Sequence, residues 1–167
     1  MAALGTFGIG QYTAAISSTD LGLTTSEGWK LRYRPAKKKI NDTNLYGDTL
    51  IDGIYLGMEG VQLMTTFKEW KAGMLGTLWP YGAAAFDGTL GTIGVLDSSL
   101  ASTIVLTAVT GTPAATNGPV TLTCHQCILS PDNDIEVLLA PDERNVPVLF
   151  DLLLSNVSST LRFFTKT

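Results

Sequence analysis

The sequence predicts a mainly β domain, a sandwich or barrel-like fold of two packed antiparallel sheets with one flanking α-helix. Runs of alternating polarity recur along the chain, turn-forming residues separate them, and one segment alone has the spacing of an amphipathic helix. A length of 167 residues suits a single domain, residues 1–167, and an apolar fraction of 45% is enough to form a core.

The first part of the chain combines a glycine-containing start with two candidate strands. Residues 1–10 contain three glycines and are expected to form a flexible N-terminal arm. Residues 12–19 are a predicted strand, and residues 29–34 alternate between an aromatic and apolar face and a basic face. Pro35 is expected to disrupt that strand. Residues 35–48 are then expected to form a long polar loop, and loops of that length tend to be functional or mobile.

The centre of the chain is predicted to be a hairpin. Residues 49–56 form its first arm, Gly57 and Gly60 mark the break, and residues 61–67 form the second arm. The second arm alternates between two faces, which is typical of a half-buried strand. A lone hairpin is marginal in water, so this unit needs other parts of the chain or other chains to cover it.

The predicted helix follows, from about Lys68 to Trp79. Trp70, Met74 and Leu78 recur every four residues and define its apolar face. Beyond it, the chain is expected to be irregular up to residue 100, with later turns at residues 111–119 and 130–134. The remaining predicted strands cover residues 103–109, 120–129, 135–140, 146–154 and 161–165.

The charges are unevenly distributed. The chain has a net charge of −4, yet six of its 11 basic residues lie between Lys30 and Lys39, which leaves five basic against 15 acidic residues elsewhere. This basic segment is interpreted as a solvated edge strand, as a surface that docks on acidic patches of a neighbouring copy, or as a nucleic-acid contact. The overall negative charge argues against the last. The docking hypothesis names Arg34, Lys37, Lys38, Lys39 and Tyr46 as contact residues, and acidic turns such as residues 132–136 or Asp142-Glu143 as the surfaces that they contact.

The residues with potential for catalysis or metal binding do not form a convincing site. Cys124 and Cys127 are three residues apart on a predicted strand, so they are expected on opposite faces, unable to share one metal ion without a bulge. His125 is the single histidine and has no nucleophile motif. Asp132, Asp134 and Glu136 lack the calcium-loop pattern. The sequence therefore predicts no enzyme, no catalytic residue, no metal and no cofactor.

Two segments carry a family resemblance. The first is the run from Gly47 to Gly57, followed by a strand and then by Glu69-Trp70 at the start of the helix. The second is Leu129 to Asp132, followed by a strand, a charged turn and a valine-proline-valine strand at residues 146–148. In the order of these parts the chain resembles the major tail tube proteins of long-tailed bacteriophages, to which the type VI secretion tube protein is similar in fold.

The resemblance implies both a fold and an assembly. Six copies form a ring, each ring contributes strands to a continuous inner β-barrel, and rings stack into a tube through which viral DNA passes without specific binding. The implied partners are further copies of the chain and the tape measure, tail tip and tail terminator proteins. The implied location is the virion tail, assembled in the host cytoplasm, with no membrane. Acidic residues that could line the lumen or form contacts are Asp52, Glu59, Glu136, Asp142 and Glu143.

Two other classes of function remain open from the sequence. One is another virion β-protein, such as a distal tail, decoration or adhesin domain. The other is an enzyme or a small-molecule-binding β-barrel, which would need a convergent set of titratable residues. The first basic residue is Lys30, so a secretory signal is not expected.

Overall fold

Antiparallel strands dominate the computed structural model, which describes residues 12–42, 49–68, 78, 94–109, 120–132 and 145–167. The mainly β prediction is confirmed, and the one helix with described bounds is a single short turn, α1. The elements in chain order are β1 Tyr12–Ile16, β2 Thr19–Asp20, β3 Lys30–Asp42, β4 Thr49–Phe67, α1 Asp97–Leu100, β5 Ser102–Ala108, β6 Thr121–Leu129, β7 Val146–Leu152, β8 Ser155–Val157, β9 Thr160–Arg162 and β10 Phe164–Lys166.

Eight strands form one sheet in the order β2-β1-β5-β6-β7-β4-β3, with β10 also paired to β6. Strands β8 and β9 form a separate hairpin. All of these pairings are antiparallel. Strand β6 therefore has β5, β7 and β10 as neighbours along its length, which joins the two halves of the sheet.

The segment after β2 links the two ends of this sheet order. Thr24 forms an isolated bridge with Phe67, beyond the point where β3 pairs with β4. The backbone N–H of Thr25 donates to the Thr66 carbonyl at 2.8 Å, and that of Lys68 donates to the Leu23 carbonyl at 2.9 Å. The sheet thus curls back on itself, as in a barrel.

One hydrophobic core lies inside the curled sheet. In β4, Val61, Leu63, Thr65 and Phe67 are buried in alternation, which confirms the period of two predicted for residues 61–67. The ring of Trp29 packs edge to face on Phe67, with centroids 5.7 Å apart. The buried core cluster comprises Ala14, Ile16, Leu21, Val61, Leu63, Phe67, Leu78, Ile104, Leu106, Cys124, Cys127, Leu129, Val146, Val148, Phe150 and Leu152.

The predicted break at Gly57 and Gly60 is wrong. Strand β4 runs without interruption through both glycines, and its hairpin partner is β3. Gly57 has a φ of +121°, which favours glycine, and lies opposite Ala36 beside register shifts in the ladder. In a strand, such a glycine marks an irregularity rather than a chain reversal.

The long loop predicted at residues 35–48 is also wrong for its first half. Strand β3 continues through Pro35 as far as Asp42. Pro35 is tolerated because β3 is the outermost strand of the sheet order and a register shift falls between Arg34 and Pro35. The polar composition that suggested a loop is that of an exposed edge strand. Residues 43–48 lie outside the described part.

Three further strand predictions are confirmed with adjusted bounds. β5, β6 and β7 occupy the predicted segments. The predicted strand at residues 12–19 is instead β1 and β2 joined by a two-residue turn, Ser17-Ser18, in which both residues have positive φ. Residues 161–165 are divided between β9 and β10, because the chain bends at Phe163.

The predicted helix at residues 68–79 lies almost entirely outside the described residues. Lys68 is in a bend after β4, and Leu78 is helical and buried in the core. The expected N-terminal arm, the turn at residues 111–119 and the strand at residues 135–140 also lie outside the described part.

Candidate assembly surface

The far end of the β3–β4 hairpin extends beyond the rest of the sheet. Strand β4 pairs with β7 only from Val61 to Phe67, so residues 49–58 of β4 and residues 35–42 of β3 pair with each other alone among the described strands. We call these two segments the ribbon. Eight residues of extended strand measure about 26 Å. Both edges of the ribbon are without a strand partner in the described part of the chain, and such edges are templates for pairing with another chain.

Apolar side chains on the ribbon are exposed to solvent. Leu56 is 64% exposed and Ile54 is 51% exposed, although neither is a surface residue by chemistry. Leu50, Tyr55 and Ile40 are exposed as well. An isolated two-stranded hairpin with this surface is marginal in water, so the ribbon has the properties of a segment that another molecule covers.

Three consecutive lysines give the ribbon its positive charge. Lys37 lies opposite Tyr55 and Lys39 opposite Gly53, whereas Lys38 lies opposite Ile54 on the other face. All three lysines are exposed. Among the described residues, none of their Nζ atoms lies within 4.0 Å of a carboxylate oxygen. Each lysine therefore presents its charge on the same ribbon that presents the apolar side chains.

The other predicted contact residues lie in different places. Arg34 is at the base of the ribbon, with its Nε 4.0 Å from a carboxylate oxygen of Glu59. Asp52 is on the ribbon, where its Oδ1 accepts a hydrogen bond of 2.7 Å from the backbone N–H of Gly53. The remaining predicted contact or lumen residues lie outside the described part, namely Tyr46, Glu136, Asp142 and Glu143.

An open groove of about 340 Å³ lies beside the base of the ribbon. We call it the acidic groove, because its described lining includes four carboxylates and two guanidinium groups, a formal balance of −2. These charged residues are Arg32, Arg34, Glu59, Asp97, Asp132 and Asp151. Of them Arg34 and Glu59 were singled out from the sequence as contact or lumen residues, and Asp132 as part of an acidic turn that could receive the basic segment. The others come from segments far apart in the chain, so no local pattern could have grouped them.

The carboxylates of the groove differ in what they contact. Asp151 accepts a hydrogen bond of 3.0 Å from Nε2 of Gln62, directly across the β4–β7 pairing. Asp97 begins α1 and Asp132 lies in the turn after β6, and both are exposed. No lysine or arginine nitrogen of the described residues lies within 4.0 Å of Asp97, Asp132 or Asp151. These three charges are therefore available to a cation from outside.

The two cysteines do not lie on opposite faces, which corrects the sequence prediction. Ile104 pairs with Cys124 and Ser102 with Cys127, so three steps along β6 match two steps along β5. The extra residue is a β-bulge, and it shifts the alternation so that both cysteines face the core. Cys124 is fully buried and Cys127 is 4% exposed. No residue in the local sequence predicts this bulge.

The cysteine pair is a local hydrogen-bonded unit of two unlinked thiols. The Cys127 thiol donates to the carbonyl oxygen of Cys124, with 3.6 Å between sulfur and oxygen. Hydrogen bonding from Cys127 lowers the pKa of the Cys124 thiol, against the opposing effect of burial. The contact with Cys124, together with burial, raises the pKa of Cys127, which therefore stays protonated. Nearby, Nε2 of His125 lies 3.1 Å from Oγ1 of Thr165 on β10.

Within the described segments, no three His, Cys, Asp or Glu side chains are grouped so as to hold a metal ion. None of the helices in those segments is long and apolar enough to cross a membrane. A comparison of the sequence with models of protein families and with curated proteins found no match.

Proposed function

We propose that this chain is a self-assembling structural subunit that forms stacked hexameric rings as the tail tube of a long-tailed bacteriophage. The observation that carries the proposal is the ribbon, a long two-stranded extension with uncovered apolar side chains and two edges that lack a strand partner within the described residues. A soluble subunit with such an extension is stabilised when copies cover one another.

The chemistry of the remaining surface supports a structural role more than a catalytic one. The acidic groove is open and rich in charged side chains, whereas clefts that bind small molecules are mostly enclosed and apolar. The chain is also acidic overall, which suits a conduit that DNA must traverse without being held through its phosphates. The resemblance in the order of segments is the reason for proposing a tube rather than another ring or a shell.

The experiment is assembly of the purified protein over a range of concentrations. We expect light scattering to rise above a critical concentration and negative-stain microscopy to show rings or tubes with a central channel. The ribbon variant Ile54→Ser with Leu56→Ser is expected to remain folded by circular dichroism and to lose assembly, because both side chains are exposed in the isolated subunit.

Leu161→Ser is the matched control, since Leu161 is also 64% exposed but lies on β9, away from the ribbon. It is expected to assemble like the unsubstituted protein. A protein that remains monomeric under all conditions, even with a tail-tip initiator complex added, contradicts the proposal. Assembly of the ribbon variant at the normal concentration would show that other surfaces drive the process.

A further inference from the structure

The lysines of the ribbon have no carboxylate partner among the described residues, and the acidic groove has carboxylates without a cationic partner among them. From this complementarity we propose that the ribbon lysines Lys37, Lys38 and Lys39 of one copy bind the acidic groove of a second copy. The inference rests on the proposed function, because it names the surface that receives the ribbon within the assembly.

A second copy fits this groove better than the ribbon of the same chain. Arg34, at the base of the ribbon, already lines the groove and lies near Glu59. The lysines follow on β3 beyond two register shifts, in the part that pairs only with residues of β4 and extends from the sheet. An extended strand cannot fold back on its own base while it keeps this pairing. The lysines therefore reach a groove on a neighbouring molecule.

The unpaired charges of the two surfaces are opposite in sign. Asp97, Asp132 and Asp151 present three carboxylates without a cation within 4.0 Å in the described structure, against three lysines on the ribbon. Glu59 is partly neutralised by Arg34 and contributes less. Such complementarity fixes the orientation and register of a contact more than its total strength.

The geometry of the contact also determines the kind of assembly. The ribbon and the groove are different surfaces, so when they meet head to tail the contact is heterologous and leaves a free groove on one copy and a free ribbon on the other. Contacts of this type repeat until a ring closes or a filament grows. Two copies related by a two-fold axis could instead exchange ribbons reciprocally, so assembly that stops at a dimer would contradict head-to-tail docking.

The test uses a pair of charge-reversed variants of the full chain. The ribbon variant carries Lys37→Glu, Lys38→Glu and Lys39→Glu, and the groove variant carries Asp97→Lys and Asp132→Lys. All five positions are exposed, so both variants are expected to fold. Each variant alone is expected to need a concentration about tenfold higher to assemble, the size expected from several exposed ion pairs that become repulsive.

An equal mixture of the two variants is expected to assemble at close to the normal concentration, because each ribbon then meets a groove of opposite charge. The control is Glu27→Lys, a charge reversal at an exposed carboxylate outside the acidic groove. A mixture of this control with the ribbon variant is expected to assemble as poorly as the ribbon variant alone. Assembly of either variant at the normal concentration, or no recovery in the mixture, would refute the docking of ribbon in groove while leaving the tube proposal standing. A native protein that never assembles would refute both.

Discussion

At the scale of single residues, the bulge in β6 decides the environment of the two cysteines. On a regular strand, side chains three positions apart point in opposite directions, so one of the two thiols would face away from the core. The extra residue opposite β5 brings both thiols into the core, where burial and their contact with each other set their protonation. The consequence is a pair of thiols close in space and shielded from reagents.

This placement predicts slow thiol chemistry in the folded protein. A bulky aromatic disulfide reagent is expected to react with Cys124 and Cys127 at least about 100-fold more slowly in native buffer than in denaturant, because reaction requires local opening. After unfolding, two thiols per chain should react, as measured by the released chromophore. Rapid reaction of the native protein would show that the bulge does not bury both sulfurs, and fewer than two thiols after unfolding would reveal a disulfide.

At the scale of elements, β4 has two halves with different roles. From Val61 to Phe67 it alternates buried and partly exposed side chains between β3 and β7, and this half belongs to the core. Before Gly60 it has β3 alone as a strand partner in the described chain, and Leu50, Ile54, Tyr55 and Leu56 are exposed. One end of the strand therefore stabilises the subunit, and the other is the end that the proposed function assigns to assembly.

The division of β4 predicts opposite outcomes for two aromatic truncations. Phe67→Ala removes a fully buried ring that contacts Trp29, so it is expected to lower the free energy of unfolding by about 3–5 kcal/mol. Tyr55→Ala, on the exposed ribbon, is expected to change it by less than about 0.5 kcal/mol. Denaturant titration of the isolated subunits measures both. Equal losses of unfolding free energy for the two variants would contradict the assignment of different roles to the two halves of β4.

At the scale of the whole molecule, the separation of charge is the dominant feature. Six basic residues lie within Lys30 to Lys39, and the remainder of the chain carries five basic and 15 acidic residues. In the fold, three of the four lysines of this segment lie on the ribbon, the fourth, Lys30, pairs with Glu27, and the two arginines line the acidic groove at its base. The ribbon therefore carries the unpaired lysines, and the groove at its base carries the unpaired carboxylates. This unequal distribution of charge suits contacts that repeat from head to tail.

This charge distribution predicts that salt weakens assembly. The screening length falls from about 10 Å at 0.1 M to about 3 Å at 1 M, so sodium chloride is expected to raise the critical concentration of the native protein. For the variant with Lys37, Lys38 and Lys39 all changed to Glu, salt is expected to lower it, because repulsion between ribbon and groove is screened. Sedimentation of assembled material across a salt series measures both. A critical concentration independent of salt in the native protein would exclude an electrostatic contribution.

The alternation of residue types along the chain is enough to identify several strands that have one buried face. The alternation at residues 61–67 and 146–152 follows directly from burial on one side of a sheet, and it holds in the structure. The sequence also located the basic segment from charge alone, and with it three lysines of the assembly surface. The exposed apolar residues of the ribbon were not recognised as a surface, because an apolar strand residue is normally buried.

The pairing of these segments, in contrast, is visible only in the folded chain. Whether the chain turns at Gly57 or continues as a strand depends on whether another strand pairs with this segment. Strand β3, which has 13 residues and includes Pro35, pairs with β4 on both sides of Gly57. Likewise, the β-bulge that brings Cys124 and Cys127 to one face exists because β5 pairs with both sides of it. The Ser17-Ser18 turn has none of the usual Asn-Gly or Asp-Gly signal, yet both residues adopt positive φ because β1 and β2 pair directly on either side. For Gly57 and for the bulge, pairing partners far apart in sequence fix the feature, and no local pattern of residues encodes it.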